Sequence, residues 1–198
     1  MFRRPWQPLL IVLLAMLVAG CVRTIQPVLK DDQVTMDNSL IGKWVSKDGK
    51  ESVDIQPPGP NNKTYRVLYC DKDGKKADLL GRLGKIGEIT VIELHADNPV
   101  PDASNAYKAH LLPVYSFLVV HQTTPQLIVS FMDQDWLKKY LVDHPDELKV
   151  IPNIDDQVVT SSTEELQAFL LRHYKDPGAL GEQGVFVRPA NATAPAGK

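Results

Sequence analysis

The chain has 198 residues, 43% of them hydrophobic and 23% charged, with a formal net charge of −2 at pH 7. That length buries one good-sized core and is short for two, so one domain with tails is expected. Lysines and acids are interspersed rather than clustered, which gives no basic surface for a nucleic acid.

At the amino terminus, Arg3 and Arg4 precede an uncharged run from Leu9 to Ala19, the charged and apolar regions of an export signal. As a helix the run rises roughly 16 Å, about half of a hydrocarbon core, which is too short for a stable transmembrane span. It closes on Leu17-Val18-Ala19-Gly20-Cys21. Small residues leave the backbone open to a peptidase, and cysteine alone supplies a thiol that readily forms a thioether. This ending resembles the lipobox of bacterial lipoproteins. The resemblance implies cleavage before Cys21, a diacylglyceryl group on its sulfur and acylation of the new amino terminus. Two or more acyl chains anchor a protein durably, where one is marginal. In that family Asp after the cysteine retains the chain at the inner membrane, and Val22 in its place implies the outer membrane. The expectation is a protein of the bacterial cell envelope, attached to the membrane through Cys21 without spanning it. With Cys21 so used, Cys70 has no disulfide partner and reads as a structural thiol.

Residues 22–38 lack sustained periodicity and read as a tether of at most about 60 Å. The domain is expected at 39–187, followed by a disordered tail at 188–198 that is rich in Ala, Pro and Thr. Strand signals run through Leu40–Ser46, Ser52–Gln56, Thr64–Cys70, Ala77–Leu83, Glu88–His95, Leu111–His121 and Gln126–Met132. Asp-Gly in the joints at 47–50 and 71–76 marks tight turns, and Pro57 to Pro60 keeps ladder donors out of a longer connection. Val114 to Val120 and Leu127 to Met132 are apolar on both faces and need cover on both sides. Asp135 starts a helix with Leu137, Tyr140 and Leu141 on one face, ending near Pro145. Ser162 and Glu165 form a capping box for a second, with Leu166, Phe169, Leu170 and His173 on its apolar face. The expected fold is mainly β with two helices: an antiparallel up-and-down meander, barrel or half-barrel, with the late helices packed on the sheet.

Gly42-Lys43-Trp44 opens the first predicted strand and resembles the G-x-W signature of lipocalins. The resemblance implies that Trp44 plugs one end of an eight-stranded barrel carrying a small apolar ligand. Asp71-Lys72-Asp73-Gly74 is a turn rather than a calcium loop, because Lys75, Lys76 and Arg82 occupy positions that such a loop gives to a ligand, a glycine and a glutamate. His95, His110 and His121 fall at strand ends without metal-ligand spacing, so no metal is assigned. No G-x-S-x-G, H-E-x-x-H, P-loop or G-x-G-x-x-G occurs, and neither an enzymatic activity nor a cofactor is assigned. The sequence reads as a non-enzymatic envelope lipoprotein that docks another envelope protein. The alternative is a lipocalin-like carrier of a small apolar ligand. Docking calls for an exposed apolar patch, and carriage for an apolar cavity with Trp44 at its closed end. Mass spectrometry of the mature amino terminus is expected to show an acylated Cys21, and Cys21→Ala to leave an unacylated chain that is released or held as precursor. An unmodified chain starting elsewhere would refute the anchor.

Overall fold

The computed structural model describes residues 21–60, 62–97, 102–108, 110–152 and 157–190. The expected signal segment 1–20 and the end of the expected tail, 191–198, lie outside the described residues. The strands in chain order are β1 (Arg23–Thr24), β2 (Val34–Thr35), β3 (Gly42–Ser46), β4 (Ser52–Gln56), β5 (Thr64–Cys70), β6 (Lys76–Ile86), β7 (Ile89–Ala96), β8 (Tyr115–Gln122), β9 (Leu127–Phe131), β10 (Val150–Pro152), β11 (Gln157–Val159) and β12 (Gly184–Val187). The helices are α1 (Asn105–Lys108), α2 (Gln134–Asp143) and α3 (Thr163–His173).

Strands β3 to β9 pair antiparallel with their neighbours in chain order, and β12 enters between β9 and β3 to close an eight-stranded barrel. The expected barrel with late helices is present, closed rather than half-open. It has three helices instead of two, because a short turn of helix also forms in the β7–β8 connection. Alternation along each strand gives the wall two apolar faces. Tyr65, Val67 and Leu118 belong to an inner cluster, whereas Ile89, Val91, Phe117 and Val119 face outward under α2 and α3. The Asp71 turn forms as its composition requires: the side chain accepts from the Asp73 and Lys75 amides at 2.9 and 2.8 Å, an Asx turn.

The cap of α2 is Asp133, two residues before the Asp135 expected. Its carboxylate accepts from the Trp136 amide at 2.7 Å, while its own amide donates to the Ala179 carbonyl at 2.8 Å. That tertiary bond turns the chain out of β9 and leaves Asp135 in the first helical turn. For α3 the capping box forms as read, with Ser162 N donating to Glu165 Oε2 at 2.8 Å and Glu165 N to Ser162 Oγ at 3.2 Å. The two helices meet through rings: Tyr140 lies edge-on to Phe169 at 5.6 Å, and His173 links Asp176 at 2.7 Å to the Tyr140 hydroxyl at 3.3 Å.

Residues 22–38 are not a tether. β1 pairs antiparallel with β8 and parallel with β11, and β2 pairs with β6. Val22, Val28, Leu29 and Val34 are buried against the outer wall. The segment has no period because it follows the barrel wall as a strap, held at points rather than along one face. The main fastening is Glu93, whose side chain is wholly buried. One carboxyl oxygen accepts from the Val28 and Leu29 amides at 2.5 and 3.0 Å. The other accepts from Arg82 Nε and Nη2 at 2.9 and 2.6 Å. Arg82 in turn donates to the Leu29 carbonyl at 3.0 Å and to Asp31 at 2.8 Å. Gly84 lets the strap lie this close, since a Cβ there would stand 2.7 Å from the Leu29 side chain and 2.9 Å from the Gln33 carbonyl.

Removing one member of such a buried array leaves the others charged or unpaired, at a cost of about 3–5 kcal/mol. Glu93→Ala is therefore expected to lower stability by about that amount in urea unfolding, with hydrogen-exchange protection lost over residues 22–34. Unchanged protection there would show that the strap is held by other contacts.

Candidate functional site

One end of the barrel is plugged by Trp44, which is 1% exposed. Its indole Nε1 donates to the Leu40 carbonyl at 2.8 Å, and the Arg188 guanidinium lies 3.6 Å from its ring. Arg188 also donates to the Ser39 carbonyl at 2.5 Å and the Lys43 carbonyl at 3.3 Å, so the cation is stacked and hydrogen-bonded at once. Burial lowers the Arg188 pKa from its ordinary value. This arrangement explains the glycine two residues before the tryptophan. Gly42 has φ +110°, and a Cβ there would come within 2.9 Å of Arg188 Nη1, so a side chain would strain the backbone and push the guanidinium off the ring. Arg188, the first residue of the expected disordered tail, is thus built into the fold directly after β12.

Past the plug the barrel is hollow. A cavity of about 260 Å³ runs between Ile55, Val67, Leu118, Leu127, Val129 and Phe186 toward the opposite end. Its polar lining consists of Glu51, Tyr69, Ser116, Glu182 and Cys21. The strand directions place these residues at the open end: Glu51 precedes β4, Tyr69 is near the end of β5, Ser116 near the start of β8, and Glu182 precedes β12. Glu51 is 7% exposed and lies close enough to the Tyr69 phenol to act on it. Burial and the neighbouring Glu51 push the Tyr69 pKa up, so the phenol stays a neutral donor. Cys21 is fixed here by a bridge to Asp133 at the head of α2. Burial pushes its thiol up to about 12 against the pull of Arg23.

Of the residues singled out in the sequence, Cys21 and Trp44 lie toward opposite ends of the same barrel, which their positions in the chain do not suggest. The histidines do not converge. His95 pairs across β7–β8 with Tyr115, whereas His121 follows Val120, whose partner is Thr90 at the other end of the ladder. His121 meets Ser130 Oγ at 3.1 Å, and His110 lies in the β7–β8 connection. Among the described residues no group of three His, Cys, Asp or Glu side chains is placed to hold a metal ion. Cys70 is half-buried and unpaired with Cys21. Sequence reading missed Glu51, Tyr69 and Arg188 as site residues. Alternation along Thr64–Cys70 sets Tyr69 on the face of Tyr65 and Val67, but nothing local shows which face is the interior. β12 is short and enters the barrel only after both late helices.

Of the exposed large apolar side chains, Tyr107 and Leu112 share the β7–β8 connection, whereas Met36, Val142, Ile151 and Leu171 are carried by separate segments. Among the described residues no helix is long and apolar enough to cross a membrane. Comparison of the chain with known protein families, with characterised proteins and with solved structures finds no match. The plug makes a direct prediction. Arg188→Ala is expected to cost about 2 kcal/mol and to shift tryptophan emission to the red as water reaches Trp44. Arg188→Lys is expected to recover only part of the loss, because an ammonium cannot lie flat on the indole and fork to two carbonyls. Emission and stability unchanged in Arg188→Ala would show that the ring is sealed without it.

Proposed function

We propose that this chain is a lipid-anchored, lipocalin-like binder of a small apolar ligand in the bacterial cell envelope. The observation that carries the reading is the cavity. Protein interiors are packed like organic crystals, with few voids larger than one water, whereas about 260 Å³ is the liquid volume of roughly eight or nine waters. Eight-stranded barrels either fill their interior with side chains or hold one small ligand. This one is filled around Trp44 and left open beyond it. The scattered exposed apolar residues give the docking-partner reading no observation in its favour.

The strap bears on how an anchored barrel would sit. With residues 22–34 fastened to the wall, no free tether separates Cys21 from the domain, and the anchoring sulfur lies at the cavity mouth. The open end is then held at the bilayer surface. Tyr107 and Leu112, both exposed in the β7–β8 connection at that end, suit the same orientation. An apolar ligand passes between bilayer and cavity with little exposure to water.

The neutral fluorophore N-phenylnaphthylamine, added to the delipidated full chain, is expected to bind saturably at micromolar concentration with enhanced emission. Leu94→Trp, which fills the cavity from its wall, is expected to weaken binding at least tenfold without lowering Tm. Absence of saturable binding to the wild-type chain would overturn the proposal.

A further inference from the structure

We infer that the cavity selects a short-chain amphiphile with a cationic or neutral hydrogen-bond-donating head, such as an alkylamine or alkanol, and discriminates against the fatty-acid anion of equal length; this rests on the reading of the barrel as a ligand carrier. The selectivity comes from the side chains at the mouth. Glu51 and Glu182 are both acidic, and among the described residues no lysine, arginine or histidine lines the cavity. Arg23 is close enough to act on the Cys21 thiol but is not part of the lining. Glu51 is the informative member, because an acidic side chain only 7% exposed at the edge of an apolar wall is costly to keep unless its oxygens are occupied. A carboxylate accepts at about four lone-pair sites, and the Tyr69 phenol supplies one donor. Glu51 lines the cavity, so acceptor sites left over on its carboxylate are offered to a ligand head that donates.

The chain end is read from the volume. At roughly 30 Å³ for each water-sized group, the cavity takes about eight or nine methylenes. The tail runs toward the Trp44 plug, and the head stops beside Glu51, Tyr69 and Ser116. There an ammonium finds an opposite charge in a place poorly screened by water, and a hydroxyl finds acceptors. A carboxylate would instead meet like charge at low dielectric and no cation of the lining.

The experiment is displacement of N-phenylnaphthylamine from the delipidated full chain by decylamine, decanol and decanoate at neutral pH. Decylamine and decanol are expected to bind at least tenfold more tightly than decanoate. In Glu51→Gln, which keeps an acceptor for Tyr69, decylamine should weaken relative to decanol and decanoate should gain severalfold. Decanoate binding as well as decylamine to the wild-type chain overturns the inference while leaving the carrier reading intact, since the fluorophore has bound. Unchanged relative affinities in Glu51→Gln overturn it too. The wild-type ranking is decisive even if the variant does not fold, and failure of the fluorophore itself to bind removes both readings together.

Discussion

A buried carboxyl group must be surrounded by donors or it destabilises the fold that contains it. Glu93 meets that condition only if the chain between Val28 and Leu29 lies across the barrel wall, because two of its donors are those main-chain amides and the rest belong to Arg82. The amino-terminal segment is thereby made part of the domain. Once the strap is placed, β1 finds an edge of β8, β11 finds β1, and the outer faces of β6 to β8 acquire cover along with α2 and α3. The same fastening brings Cys21 to the barrel mouth.

The interior is governed by a second arrangement of opposite character. Trp44 and Arg188 close one end through stacking and three bonds to main-chain carbonyls, and the inner cluster packs densely around them. Leu79, Leu94 and Ser116 are among the side chains that line the space left open. A rigid plug at one end and modest side chains at the other give a hollow of limited depth with a polar rim. The proposed function depends on that asymmetry.

Much of the framework was legible. Period-two alternation, Asp-Gly turns and the Ser162–Glu165 capping box are local devices, and the strands and α3 formed close to where they pointed. The failures share a cause. Residues 22–38 looked like a tether because a strap held at separate points by a distant glutamate leaves no period in its own sequence. Asp135 looked like the cap because the bond from Asp133 to Ala179 joins positions far apart in the chain. Arg188 looked like the start of a tail because its partner, Trp44, is distant in the sequence although it lies against it in the fold.

For the site the division is the same. The sequence by itself determined the strand order from β3 to β9, the small-residue and cysteine ending of the amino-terminal segment, and the Gly42–Trp44 pair, since each is written in neighbouring residues. Tertiary structure alone decided that β12 closes the barrel, that the space beyond Trp44 stays open, and that Cys21, Glu51 and Tyr69 meet at its rim. Closing a barrel chooses which face of every strand becomes interior, and a cavity is what the inward side chains of eight strands fail to fill. Neither quantity exists in any local stretch of the chain.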